Sequence, residues 1–241
     1  MLTHALMVVV ALSLSTAAAP KTAEEYLAHY DAVMGPKSFD SLSVMIAHRD
    51  DDSTRTYQMR ILKSGDDKLR LYFNAPAAAK GQEMLRQGDN LWVYMPNIKK
   101  AIRLASRDSF QGGDFNNADV LRSNLAGDYT VVFSQLDKAP EGQVVLDLSS
   151  RNPDTAYDKI RLWMDTKSAL PVKGQYFAAS GKLLRSAAFS EVKDFHGVRR
   201  PSRITMRNEL ATKRFSELAT VELETHINPP STKFVLDDLG R

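Results

Sequence analysis

Along most of the chain the apolar positions recur every second residue. Leu42, Val44 and Ile46 alternate with polar or small neighbours, Tyr57, Met59 and Ile61 with Gln58 and Arg60, and Leu69, Leu71 and Phe73 with Arg70 and Tyr72. A period of two places alternate side chains on one face, the pattern of a half-buried strand. The same reading gives strands at 82–86, 90–95, 100–104, 129–136, 143–148, 157–165, 170–178, 183–193, 201–208 and 214–224. Polar or Gly/Pro-bearing segments separate them: 49–53, 64–67, Gln87-Gly88-Asp89, Met95-Pro96-Asn97 and Pro140-Glu141-Gly142. Short strands at near-regular spacing, joined by tight turns, predict an antiparallel all-β barrel or strongly curved sheet.

Two segments break this period. Thr22 and Glu25 form a capping box, Ala23, Tyr26, Leu27, Tyr30, Val33 and Met34 follow at helical spacing, and Gly35-Pro36 stops the run. A second helix is predicted over 117–125, with Val120, Leu121 and Leu125 on one face and Gly127 as its end. Two short amphipathic helices beside a curved sheet can cover its concave face and leave a ligand cavity beneath them.

The N-terminus has a different character. Residues 5–14 read ALMVVVALSL and are followed by the small residues Ser15 to Ala19. This is the apolar core and cleavage region of a secretory signal peptide, too short to span a bilayer as a helix. The expected division is a removable segment at 1–19, with an uncleaved anchor as the alternative, and a single exported domain at 20–241.

Composition adds limits. The 241 residues hold 32 basic and 29 acidic side chains, a net charge of +3. Nucleic-acid binders concentrate basic charge on one stripe, whereas here the pairs Lys99-Lys100 and Arg199-Arg200 read as solvated turns. No nucleic-acid partner is expected. The absence of cysteine excludes disulfides and thiolate chemistry. The five histidines, at positions 4, 29, 48, 196 and 226, show no metal-ligand spacing, and no Gly-x-Ser-x-Gly elbow is present. Asp50-Asp51-Asp52 lies in a polar turn without the spacing of a calcium loop. The chain therefore reads as a binding protein without cofactor or metal, and not as an enzyme.

Residues 76–120 carry a distinctive order of features: Lys80-Gly81 opening a strand, Trp92-Val93-Tyr94-Met95-Pro96, a basic strand ending at Arg103, then Phe110-Gln111-Gly112-Gly113-Asp114-Phe115, and Asp119 entering a helix. Further on come Tyr157 to Asp165, Leu170-Pro171-Val172-Lys173, Ser180-Gly181-Lys182, Gly197 and Pro201. In this order the chain resembles the outer-membrane lipoprotein-sorting proteins, the LolA-like periplasmic carriers. It departs from their pattern at Gly113, where Gly-Ser is the commoner pair. The resemblance implies an all-β fold with small helices: an unclosed antiparallel half-barrel of about 10–11 strands under a helical lid. It also implies a cavity for an acyl lipid or lipoprotein anchor, an inner-membrane transporter of ABC or RND type as donor, and an outer-membrane acceptor. A monomer is expected. The alternative is an envelope lipid sensor or adaptor of the same fold.

Seven methionines lie beyond the removable segment, and Met adapts to irregular ligands. The expected cavity residues are Met45, Tyr57, Met59, Ile61, Leu71, Phe73, Met84, Trp92, Tyr94, Leu162, Met164 and Met206. The expected lid and hinge residues are Phe110, Gly112, Gly113, Phe115, Val120 and Leu121, with the glycines giving backbone freedom and the phenylalanines apolar plugs.

Overall fold

The computed structural model describes residues 20–122, 124–135, 139–153, 155–211 and 213–241. The expected signal segment, 1–19, lies outside the described residues. The first element is the helix α1, Ala23–Met34, whose capping box at Thr22 and Glu25 forms as the sequence predicts and whose C-cap is Gly35. Among the described residues no helix is long and apolar enough to cross a membrane.

Among the described residues thirteen antiparallel strands form one sheet. They are β1 (Ser38–His48), β2 (Thr54–Ser64), β3 (Lys68–Ala75), β4 (Glu83–Gln87), β5 (Asn90–Met95), β6 (Lys100–Leu104), β7 (Tyr129–Phe133), β8 (Gln143–Ser150), β9 (Lys159–Asp165), β10 (Pro171–Phe177), β11 (Leu183–Phe195), β12 (Val198–Asn208) and β13 (Phe215–Thr225). The count exceeds the expected 10–11 because every short segment of the meander pairs as a separate strand.

The sheet runs β6-β5-β4-β3-β2-β1-β13-β12-β11-β10-β9-β8-β7 and does not close. The first and last strands pair at its centre, Phe39 opposite Thr225 and His48 opposite Phe215. Each half is a hairpin meander whose register follows from its turns. The halves end at opposite edges, β6 and β7, although these strands are consecutive in the chain. The connection between them must therefore travel from one edge to the other, and its described residues, 105–122 and 124–128, do so over the concave face.

That connection carries the remaining helical pieces. A 3-10 turn, Phe110–Gly112, leads to α2 (Asn117–Leu121) and to a single turn, α3 (Leu125–Asp128). The expected continuous helix over 117–125 is interrupted: Arg122 leaves helical geometry at φ −118°, ψ 104°, and Gly127 lies within α3 instead of ending α2. Asp119 reaches back to the start of α2, its carboxylate accepting from Asn116 N.

Most buried apolar side chains share one cluster on the concave face, including Tyr57, Met59, Leu71, Phe73, Leu91, Val93, Leu146, Leu162 and Met164. A smaller cluster lies on the convex face: Leu62, Leu85, Phe234 and Leu239, with Trp92, Tyr94 and Ile227 packed against it. The C-terminal turns Ser231–Phe234 and Leu236–Asp238 supply its cover. In β1 the buried positions are Phe39, Ser41, Ser43, Met45 and Ala47, while Leu42 is 36% exposed. The alternation of Leu42, Val44 and Ile46 is thus real, but those residues face outward, and the concave face of this central strand carries two serines.

Candidate functional site

Those serines mark a void. A cavity of about 140 Å³ lies between the concave face and the helices. Its floor is Phe39, Ser41 and Ser43 on β1, Ile61 on β2, Phe189 on β11, Arg200, Ile204 and Met206 on β12, and Leu218, Thr220 and Leu223 on β13. Tyr30 and Met34 of α1 close one side, and Phe115, Ala118, Asp119, Val120, Arg122 and Leu125 of the crossing segment close the top. Tyr129, Tyr157 and Tyr176 complete the wall. Small hydroxyl side chains beneath bulky neighbours leave space that Leu or Phe would fill.

The crossing segment is fastened at several points. Arg122 bonds both Asp128 (2.9 Å) and Asp89 (2.9 Å), the latter in the β4–β5 turn. Asp31 of α1 accepts the backbone N–H groups of Leu125 (2.9 Å) and Ala126 (2.8 Å). Asp119 accepts from Asn116 N (2.7 Å) and from the Tyr157 hydroxyl (2.8 Å). Burial raises the carboxyls of Asp31 and Asp119 to about 6 despite these bonds. Asp119 keeps some exposure, and it lines the cavity, so that surface faces the void. Burial likewise raises the Tyr30, Tyr157 and Tyr176 hydroxyls, which remain neutral donors at physiological pH.

Two cations reach the C-terminus of α1, which has no basic residue in its last turn. Lys63 Nζ donates to Gly35 O at 2.6 Å, and Arg200 Nη1 donates to Met34 O at 3.0 Å. The negative end of the helix dipole favours both contacts. Burial lowers Lys63 to about 8 and Arg200 to about 10. The sequence places Arg200 in a solvated turn. It is instead 7% exposed on β12, because strand alternation turns Arg200, Ser202, Ile204 and Met206 inward. Lys99 and Lys100 are exposed.

Of the expected cavity residues, Ile61 and Met206 line the void, as do Phe115 and Val120 of the expected lid. Met45, Tyr57, Met59, Leu71, Phe73, Met84, Leu162 and Met164 share the concave face but form filled core. The reason is the 110–113 loop. Phe110 is fully buried beside Phe73 (centroids 6.0 Å apart), and the Tyr57 hydroxyl donates to Gln111 O at 3.3 Å. Phe110 thus plugs the concave face over β2–β4, and the void lies over the centre of the sheet, reaching β2 only at Ile61. Trp92 and Tyr94 lie on the opposite, convex face, because Leu91 and Val93 take the inward positions of β5. Leu121 is core. Gly112 uses a positive φ of 73° that a side chain would strain, while Gly113 packs against Ser216, and Asp114 N donates to Ser216 Oγ at 3.0 Å. Sequence reasoning missed the polar wall of Tyr30, Tyr129, Tyr157, Tyr176, Arg122 and Arg200. Alternation over 198–208 was the signal that could have placed Arg200 inside.

Among the described residues no group of three or more His, Asp or Glu is placed to hold a metal ion. A family model described as that of an uncharacterized-protein-like family matches residues 65–241. The chain belongs to that family. Its fold is that of the LolA superfamily. A LolA superfamily protein of Nitrosomonas europaea superposes with a TM-score of 0.82 at 26% identity, covering 90% of this chain and 99% of that one. A DUF1329 family protein of Desulfovibrio piger gives 0.79 at 18% identity, with 90% and 97% covered. A structure described as an outer-membrane lipoprotein-sorting protein domain, from Vibrio parahaemolyticus, gives 0.76 at 22% identity, with 91% and 98% covered. The last two likenesses concern the fold alone. Comparison with curated proteins returns no match.

Proposed function

We propose that this protein is a carrier that shelters an acyl lipid or lipid anchor in the concave cavity, with binding and release as its whole mechanism. The observation that carries the reading is the void of about 140 Å³ under the crossing segment, walled mainly by apolar side chains and floored by Ser41 and Ser43. A dry engineered cavity of about 150 Å³ holds a benzene-sized guest. The closed form accordingly accepts a short apolar group, and a full acyl chain requires the crossing segment to lift. Each methylene that leaves water contributes about 0.8 kcal/mol. The Arg122, Asp31 and Asp119 fastenings must break as the segment lifts, which offsets part of that gain and permits release.

In this reading residues 1–19 are an export signal, residues 20–241 form one lipid-binding domain in the periplasm, and the protein works as a monomer. The donor is an inner-membrane transporter and the acceptor lies at the outer membrane. Support comes from the fold shared with the Nitrosomonas europaea protein and from the name of the Vibrio parahaemolyticus domain. The test is native mass spectrometry of the mature protein purified without detergent, followed by lipid extraction. A discrete added mass that extraction removes and identifies as an acyl lipid supports the carrier. A clean apo mass that persists after lipids are offered overturns it.

A further inference from the structure

Arg200 is a buried cation without an anion. Its side chain lines the cavity and is 7% exposed. Its bonds run only to backbone carbonyls: Nη1 to Met34 O at 3.0 Å and Nε to Pro201 O at 3.3 Å. Among the described residues no carboxylate forms an ion pair with it, and Nη2 has no protein acceptor. Buried charges are ordinarily paired, since carbonyl contacts only partly replace lost hydration. The guanidinium stays protonated at neutral pH even with its pKa lowered to about 10.

A second donor lines the same cavity. The Tyr30 hydroxyl interacts electrostatically with Arg200, has no protein hydrogen-bond partner, and also lines the cavity. Burial keeps it neutral, so it remains a donor. Neither Arg200 Nη2 nor the Tyr30 hydroxyl is sealed within protein. Both are open donors on the polar wall of a chamber whose lining is mainly apolar. The two acids on the wall are engaged elsewhere: Asp119 accepts from Asn116 N and the Tyr157 hydroxyl, and Asp128 pairs with Arg122.

We propose that the cavity takes an anionic amphiphile, a carboxylate or phosphate monoester on an acyl tail, whose head group pairs with Arg200 and accepts from the Tyr30 hydroxyl while the tail occupies the void. A bidentate guanidinium–oxyanion pair suits both head groups. The inference rests on the lipid-binding reading and narrows it to a charge class. It also gives Arg200 a role beyond its helix-terminus contact, which Lys63 already supplies at Gly35 O.

The test measures binding of decanoate, decyl phosphate and decanol to the mature protein by calorimetry, with acetate and inorganic phosphate as competitors. Wild type should bind the two anions at least about tenfold more tightly than decanol. Arg200→Met should erase that preference and leave decanol within about twofold, and Arg200→Lys should restore part of it. Tyr30→Phe should weaken the anions by about threefold without touching decanol. Equal wild-type affinity for decanoate and decanol overturns the proposal, and this needs no variant to fold. A preference that survives Arg200→Met also overturns it. Competition by millimolar acetate or inorganic phosphate would mean a free-anion site and overturn the amphiphile assignment. If none of the three decyl probes binds, the carrier reading itself fails; if decanol binds as well as decanoate, only the charge assignment does.

Discussion

Arg70 Nη2 donates to the backbone carbonyl of Asp238 at 2.7 Å, while Nη1 of the same guanidinium reaches the Asp238 carboxylate and Lys233 O. Arg70 also pairs with Glu83 on the neighbouring strand. One buried side chain of β3 therefore holds the C-terminal turns against the convex face, over Leu62, Leu85 and Trp92. Replacing Arg70 by Met leaves Glu83 without its cation, and the expected loss is about 3 kcal/mol. Urea unfolding of the variant checks this, and a change below about 0.5 kcal/mol would show that the turns hold without Arg70.

Gly240 tests the same strap from its other end. It has a φ of 79°, and a Cβ placed there would overlap the Tyr94 ring. Gly240→Ala is expected to cost about 1–3 kcal/mol through that overlap and the backbone strain. The urea midpoint should fall accordingly. A neutral Gly240→Ala would mean that the strap end is loose.

Asp31 and Asp119 set a pH dependence. Both carboxyls are raised from 3.8 to about 6, so the native state holds their protons more tightly than the unfolded chain does. The stability they contribute is fully present below about pH 4 and is lost as pH rises through about 6. Each accounts for at most about 3 kcal/mol. Asp119→Asn keeps an oxygen for Asn116 N and the Tyr157 hydroxyl but cannot ionise. Its stability relative to wild type should rise by about 2 kcal/mol between pH 4.5 and 7.5. A pH-independent difference in urea unfolding would refute the buried-carboxyl account.

Ser43 offers a test of the void itself. Ser43→Leu adds apolar volume to the cavity floor, where a filled void gains about 0.8 kcal/mol per methylene if the side chain fits. The variant is expected to keep or raise its melting temperature and to lose at least about tenfold in affinity for decanoate. Undiminished uptake by a folded Ser43→Leu protein would place the ligand elsewhere.

Much of the architecture was legible because the period of two is a local property of each strand, and the capping box of α1 is written in four consecutive positions. The site was less legible. Hydrophobic alternation identifies strands but does not say which face is concave when both faces carry apolar residues. In β1 the apolar set Leu42, Val44 and Ile46 points outward, and the face that lines the cavity is the serine face. In β5, Trp92 and Tyr94 look like cavity residues until the C-terminal turns are found packed on them. Phe110 decides which part of the concave face is filled, a long-range packing event between residues 73 and 110 that no local pattern encodes. Arg200 was obscured by Arg199, since a basic pair resembles a surface turn unless the register of the strand is known.

The placement of β6 and β7 at opposite edges of the sheet makes the connection between them resemble a bowstring, with the curved sheet as the bow. Its two ends are the sheet margins themselves. The span therefore ties the outermost strands of the two halves to each other across the chamber, and the separation of the two margins is set by one stretch of chain as well as by the curvature of the sheet.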